Sequence, residues 1–151
     1  MGDAIRSHPI AVDLFRGLAE LERTERGWLP HRLPVWARAQ CADPQLVAVE
    51  AQPAGVRIAF RTQATALELD LLRTRTVLVG VPDRPDGVVD LLIDGQLTQQ
   101  MATTGGDVVR VDPTTGSAEH VPGSVGTVRF TALPARDKDV EIWLPHYERT
   151  E

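Results

Sequence analysis

Apolar and polar side chains alternate strictly along two neighbouring stretches near the middle of the chain, VRIAFR at residues 56–61 and LELDL at residues 67–71. Successive side chains of a β-strand point to opposite faces, so this alternation predicts two half-buried strands with an apolar face turned inwards. The domain is therefore expected to be built from β-sheet.

The two stretches are separated by the polar segment 62–65, which is short enough for a tight connection. When two strands pair as an antiparallel hairpin, only one choice of register keeps both apolar sets on the same face. In that register we expect Phe60 to lie opposite Leu67, and Arg57 to lie opposite Asp70.

Further short runs of alternating or β-branched residues follow, and Gly, Pro and Asp residues separate them. Asp94-Gly95 is the strongest hairpin signal, because both residues tolerate the positive φ of a tight turn. Turn signals roughly every 8–12 residues are typical of an antiparallel sandwich, here with about eight to ten strands. The remaining predicted strands lie at residues 45–51, 76–81, 88–93, 96–103, 108–112, 125–133 and 140–144.

The last predicted strand, VEIWL at residues 140–144, gives a clear assignment of its two faces. Its first, third and fifth residues are apolar and are expected to face the core, which turns Glu141 and Trp143 outwards. An outward tryptophan leaves a large apolar surface in water, so we expect Trp143 to contact a partner rather than the core.

Residues 10–24 are ambiguous between a helix and a strand. Apolar residues at positions 10, 14, 18 and 21 form a helical stripe, and the segment LAELER contains strong helix formers. Propensity therefore favours a helix, unless the fold requires a first strand here. In the next segment, residues 27–44, we expect Pro34 to start a short helix that continues to Gln40.

The composition is that of an ordinary globular protein of one domain, residues 1–151, with 42% hydrophobic and 25% charged residues. The net charge of −5 argues against nucleic acid or an anionic membrane as a partner. Cys41 is the single cysteine, and the opening residues MGDAIRSHPI lack the apolar stretch of a signal peptide. A reducing cytoplasm is therefore the expected location.

Catalytic and metal-binding signatures are missing from the sequence. The serines, at positions 7, 117 and 124, lie outside any G-x-S-x-G motif, and the four histidines have no paired spacing. The glycine pairs do not fit a phosphate-binding loop. We therefore expect no catalytic residue, no metal site and no cofactor in this chain.

Tryptophans and planar hydrogen-bonding side chains remain as candidates for a functional surface. Such groups are the materials of a sugar-binding or domain-docking surface. The alternative for Trp28 and Trp36 is a structural role as a plug at one end of the sandwich, which the apolar neighbours of Trp36 favour. The candidate contact residues are Trp28, His31, Arg32, Trp36, Trp143 and His146.

Five segments, in their order along the chain, resemble the N-terminal accessory domain of bacterial GDSL/SGNH-type acyl hydrolases and acyltransferases. They are RGWLPHRLP at 26–34, GVRIAFRTQATALELDL at 55–71, DLLIDGQ at 90–96, TVRFTALP at 127–134 and VEIWLPH at 140–146. The resemblance implies an antiparallel jelly-roll β-sandwich, similar to carbohydrate-binding modules, with a first strand over residues 15–24.

In that family the sandwich precedes a catalytic domain with a Gly-Asp-Ser nucleophile block, which no position of this sequence matches. The resemblance therefore implies an isolated, non-catalytic domain that docks on an SGNH catalytic domain and shapes its acyl-acceptor site, possible acceptors being glycosylated or polyhydroxylated. Residues 1–9 and 147–151 are then expected to be flexible ends, with a linker starting at 147–151. The alternatives are a freestanding carbohydrate-binding module and a small enzyme with an unrecognised site. A second copy of the chain is the alternative partner of the exposed face.

Overall fold

The computed structural model describes residues 4–151, and β-strands predominate among them. The helical elements are a 3-10 helix at Val12–Leu14, α1 at Val35–Ala39 and α2 at Pro44–Glu50. The thirteen strands of the described chain are β1 Phe15–Arg16, β2 Glu20–Arg23, β3 Trp28–His31, β4 Arg57–Thr62, β5 Leu67–Leu71, β6 Arg73–Leu78, β7 Val88–Ile93, β8 Gln96–Ala102, β9 Asp107–Val111, β10 Ala118–Val121, β11 Gly126–Phe130, β12 Lys138–Trp143 and β13 Arg149–Thr150. No helix within residues 4–151 is both long enough and apolar enough to cross a membrane.

The core lies between two antiparallel layers, a five-stranded sheet in the order β1-β4-β12-β7-β8 and the β5–β11 pair. Residues from both layers share one buried apolar cluster, so the predicted all-β sandwich is confirmed. A four-stranded sheet in the order β10-β9-β6-β13 and the β2–β3 hairpin flank this sandwich. The β6–β9 pair is parallel, which the sequence pattern did not predict. The buried cluster consists of Val56, Ile58, Leu69, Leu71, Val89, Leu91, Ile93, Val128, Phe130, Leu133, Val140, Ile142 and Leu144.

The predicted hairpin between residues 56–61 and 67–71 is wrong, because β4 and β5 belong to different layers. Phe60 lies opposite Val140 in the five-stranded sheet, whereas Leu67 lies opposite Phe130 in the other layer. Both stretches are strands with the predicted alternation, but their partners are distant in sequence. Phe60 is only partly buried, at the edge of the core.

The only lysine of the chain stabilises the corner where the chain passes from β4 to β5. Lys138 is 1% exposed, and its ammonium group donates to the carbonyl oxygens of Ala64 and Pro134, both at 2.7 Å. Longer bonds reach the carbonyls of Thr62 and Arg136, each at 3.4 Å. Backbone carbonyls at this corner therefore find a charged donor in place of a hairpin partner.

Two local predictions of the sequence pattern are confirmed. Asp94 and Gly95 form the turn between β7 and β8, with φ angles of 50° and 80°. In β12 and the residue after it, positions 140, 142 and 144 are at most 5% exposed, so they face the core as expected. Glu141 and Trp143 lie on the opposite, outer face of the five-stranded sheet.

Residues 45–51, predicted as a strand, form most of helix α2 instead. The Asp43 side chain accepts a hydrogen bond from the Gln45 amide at 2.9 Å, and Pro44 occupies the first helical turn. A capping aspartate followed by proline is a strong helix start, and it outweighs the short apolar alternation that follows. Helix α1 follows Pro34 directly, as predicted.

After the 3-10 helix at Val12–Leu14 the N-terminal segment is extended, so the strand implied by the resemblance at 15–24 is correct in kind. It is divided into β1 and β2, with Gly17 between them at a φ of 80°. A side chain at Gly17 would collide with the carbonyl oxygen of Gly55, so this break needs glycine.

The C-terminal end of the chain is paired within the fold, whereas the described N-terminal residues have no regular structure. At the C-terminal end, β13 pairs with β6, and the Glu151 and Leu72 backbones exchange hydrogen bonds of 2.8 and 3.0 Å. Residues 147–151 are therefore part of the fold rather than a linker. Residues 4–9 are exposed and have no regular structure, and residues 1–3 lie outside the described part of the chain.

Candidate functional site

The predicted contact residue His31 is a buried structural residue of β3. Its ring nitrogens lie 2.6 Å from a carboxylate oxygen on each side, Nδ1 from Glu50 and Nε2 from Glu22. The residue is 5% exposed. The Arg38 guanidinium also lies 3.2 Å from Nε2. The hydrogen bond between His31 and Glu22 is the main cause that lowers the pKa of Glu22. His31 therefore has no ring nitrogen left for a ligand.

Arg32 and Trp36 lie next to this buried histidine but have different environments. The guanidinium group of Arg32 donates to the carbonyl oxygen of Val49 at 2.6 Å, which joins β3 to α2. Trp36 is 66% exposed on α1, a helix that buries none of its residues. The expectation that Trp36 plugs one end of the sandwich is therefore wrong.

Trp28 and Trp143 lie on different elements, and each is partly covered by an arginine. The Arg23 guanidinium lies 4.9 Å from the Trp28 ring centre, and the Arg57 guanidinium lies 4.8 Å from the Trp143 ring centre. The Trp143 indole also donates to Glu141 at 2.9 Å. Trp143 is thus half-buried on the outer face of the sheet and takes no part in the core cluster. These contacts leave one indole face of each residue without an arginine over it.

His146 is exposed just beyond β12, and its ring meets the edge of Tyr147 with the ring centres 6.0 Å apart. The hydrogen bonds and stacking contacts described for Trp143 and His146 do not involve the other four predicted residues. The structure places Trp28 and His31 on β3, Trp36 on α1 and Trp143 on β12.

A cleft that the sequence did not predict lies between the β2–β3 turn and the four-stranded sheet, with a volume of about 430 Å³. The buried carboxylate of Asp107 lies at its base and accepts hydrogen bonds from Arg26 at 2.6 Å, His120 at 2.8 Å and the Gly123 amide at 2.9 Å. These donors, Arg26 foremost, lower the pKa of Asp107 to about 2. The cleft is lined by Thr24, Glu25, Arg26, Thr74, Asp107, Val109, His120, Arg149 and Glu151.

The Asp107–His120 pair resembles the acid–base half of a nucleophile–histidine–aspartate triad. The His120 side chain is 57% exposed, so it is accessible from the cleft. However, neither a serine nor a cysteine lines the cleft, so the arrangement offers a proton acceptor but no nucleophile.

A second, smaller space of about 130 Å³ lies between the β2–β3 hairpin and the core. Its walls are mainly apolar, with Phe15, Trp28 and Ile58 among them. Two of the polar groups that line it, Arg26 and Glu151, bond to each other at 3.4 Å. Within residues 4–151 the structure holds no group of three or more His, Cys, Asp or Glu residues suited to a metal ion.

The fold and its surface define an all-β sandwich domain without a nucleophile–base pair in the described clefts. The family model of the SsfX3 N-terminal domain matches residues 14–150, so the chain belongs to that family. The structure described as "Salicylyl-Acyltransferase SsfX3 from a Tetracycline Biosynthetic Pathway" is similar to this chain, with 25% sequence identity and a TM-score of 0.67. The similarity covers 90% of this chain but only 34% of that one, so the chain spans about a third of the acyltransferase's length. Comparison with curated protein sequences gave no match.

Proposed function

We propose that this chain is a non-catalytic N-terminal domain of a GDSL/SGNH-type acyl hydrolase or acyltransferase, which docks on the catalytic domain and shapes its acyl-acceptor site. The family match carries the proposal, because it identifies an N-terminal domain whose matched structure is an acyltransferase about three times as long as the aligned part. The remaining two thirds of such a protein offer the partner.

The chemistry of the described side chains supports a non-catalytic role. His31 has both ring nitrogens against carboxylates, and His120 faces a cleft without serine or cysteine. Ser117 bonds to the hydroxyl of Thr115, and the Cys41 thiol lies against a backbone carbonyl at 3.7 Å. No activated nucleophile results from these contacts.

A freestanding carbohydrate-binding module receives less support from the geometry. Sugar rings stack on exposed aromatic faces that are held in a common surface. Trp28 and Trp143 each have a guanidinium over the ring, and they lie on separate elements from Trp36. We therefore propose Trp36 and Trp143 as protein contacts, with a polyhydroxylated acceptor bound by the catalytic domain rather than by this chain alone.

The test measures ester hydrolysis by this chain alone, and the KM of the acyltransferase polypeptide with and without this chain. That polypeptide is the one encoded with this chain, either as its continuation or by a neighbouring gene. We expect the chain alone to hydrolyse no p-nitrophenyl ester above background, and Ser124→Ala to change nothing. Adding the chain to the catalytic polypeptide should lower the KM for the acyl acceptor. Stoichiometric labelling of this chain by a fluorophosphonate, or the absence of any such polypeptide, would refute the proposal.

A further inference from the structure

Helix α2 has its apolar side chains outside and its one buried residue is a carboxylate. Leu46, Val47 and Val49 are 48%, 44% and 40% exposed, whereas Glu50 is 4% exposed. A surface helix of an isolated domain normally turns its apolar residues towards the core. This helix does the reverse.

Helix α1 shows the same feature on a smaller scale. Val35 and Trp36 are 59% and 66% exposed, and the helix has no buried residue. We name the exposed apolar residues of the two helices the helical face, which consists of Val35, Trp36, Leu46, Val47 and Val49.

Charged contacts on the inner side hold both helices in this orientation. Glu50 of α2 pairs with buried His31 at 2.6 Å, and Arg38 of α1 pairs with Glu20 of β2 at 2.9 Å. Arg32, directly after β3, adds a further contact with α2 through the Val49 carbonyl. Burial of charged groups is costly unless they are paired, while exposed apolar area gains nothing. The arrangement makes physical sense when another surface covers the helical face.

We propose that the helical face is the surface on which the catalytic domain of the acyltransferase packs, with Trp36 as its central anchor; this inference rests on the proposed function. The occupant is argued from the family match, which ends at residue 150 and covers only 34% of the matched acyltransferase. The Thr24 hydroxyl, at the β2–β3 turn, donates to the Glu151 side chain at 2.6 Å, so the end of this sequence lies at one end of the hairpin. His31 and the two helices lie at its other end.

The hairpin sets the span that a continuing chain must cover. Its strands have four residues each, which at a rise of roughly 3.4 Å per residue is about 10–14 Å. A catalytic domain that follows the family's boundary at residue 150 reaches the helices with a few extended residues. The partner must offer an apolar groove rather than a charged surface, because the exposed side chains that define the helical face are those of tryptophan, leucine and valine. Large aromatic side chains in such positions are typical binding hot spots.

Affinity measurements on the 151-residue chain and the separately expressed catalytic polypeptide test the proposal. Trp36→Ala should weaken binding about 30-fold, and Trp36→Ala combined with Leu46→Ser at least about 100-fold. Both residues are exposed, so the variants should keep the wild-type urea midpoint. The matched control is Leu97→Ser combined with Val125→Ser, which removes apolar residues that are 57% and 56% exposed elsewhere, and it should bind like wild type.

A second readout follows Trp36 itself in a Trp28→Phe, Trp143→Phe background. Its fluorescence should shift to shorter wavelength on binding, because the indole leaves water. If the helical-face variants bind with unchanged affinity and the chain still lowers the KM, the helical face is not the docking surface. The proposed function is then unaffected. Dimerisation of the chain alone, lost in Trp36→Ala, overturns the proposed docking in favour of a second copy. Failure of any binding by the wild-type chain overturns the proposed function as well.

Discussion

Asp107 provides a direct test of how the cleft is held together. Its carboxylate is 1% exposed and has Arg26, His120 and the Gly123 amide as donors. The change Asp107→Asn keeps the size of the side chain but removes the charge. It should therefore weaken every one of these bonds without opening a cavity.

The magnitude follows from the displacement of the Asp107 pKa, which lies at about 2 instead of 3.8. At ~1.4 kcal/mol per pKa unit, this difference corresponds to about 2.5 kcal/mol of unfolding free energy. Arg26 and His120 are 38% and 57% exposed, so water screens them and we expect about 1–2 kcal/mol. Because the folded-state pKa lies below the unfolded one, the ionised carboxylate stabilises the fold above about pH 4. This stabilisation is lost as the pH falls from about 4 to about 2.

Urea unfolding followed by tryptophan fluorescence, at pH 7 and at intervals down to pH 2.5, measures the effect. The difference in unfolding free energy between wild type and Asp107→Asn should be largest at pH 7 and should shrink steadily below pH 4. The control Asp70→Asn changes an exposed carboxylate whose hydrogen bond comes from Thr127 at 2.7 Å, and it should have a smaller effect at pH 7. If the difference in unfolding free energy between wild type and Asp107→Asn stays constant across the pH range, the charge of Asp107 does not stabilise the fold.

Two further predictions concern the core and a strained turn. Phe130→Ala should lower the unfolding free energy by about 3–5 kcal/mol, because Phe130 is 0% exposed in the core. The control Arg57→Ala, on the outer face, should lower it by less than about 1 kcal/mol. Equal losses in urea unfolding would contradict the assignment of these residues to inner and outer faces. Gly106→Ala should cost at least about 3 kcal/mol, because its φ is 82° and a Cβ there would collide with the carbonyl oxygen of Arg73. The control Gly116→Ala has a φ of 72° but no atom within 4 Å of the added Cβ, so only about 1 kcal/mol is expected, and similar losses for both would refute the steric explanation.

The sequence predicted the strands where a local pattern decides the outcome. Neighbouring residues alone were enough to predict the strands at 56–61 and 140–144 and the turn at Asp94-Gly95. It did not predict which strands pair, since β4 pairs with β1 and β12, far away in the chain. Residues 44–50 form a helix instead of the predicted strand because a short apolar run fits either structure, and the Asp43 cap decides in favour of the helix.

The surface and the polar clusters were less predictable than the fold. The facing of Trp143 followed from the two-residue period of its strand, but the exposure of Trp36 depends on how α1 is anchored. The partners of His31 come from β2 and α2, and those of Asp107 from a hairpin turn and β10. Contacts between residues this far apart leave no periodic signal in one sequence, so only the folded chain reveals them.

The buried charged side chains of the described chain lie at several separate places, all outside the apolar core cluster. The interior between the two sandwich layers is apolar, while the paired charges lie where the flanking elements meet it. Arg73, for example, donates to Thr103 at 2.8 Å and meets Glu148 at 3.3 Å, which fixes the C-terminal segment beside β6. His31 and Glu50 fix α2 in the same way.

This division has a consequence for the docking surface. Apolar packing is tolerant of small shifts, whereas paired buried charges require specific geometry and leave a large penalty when one partner moves. Charged contacts therefore hold α1 and α2 in one position without using their apolar residues. A surface fixed in this manner is preorganised, which lowers the entropic cost of binding. Under the proposed docking, the two helices present exposed tryptophan, leucine and valine to the catalytic domain from a fixed position.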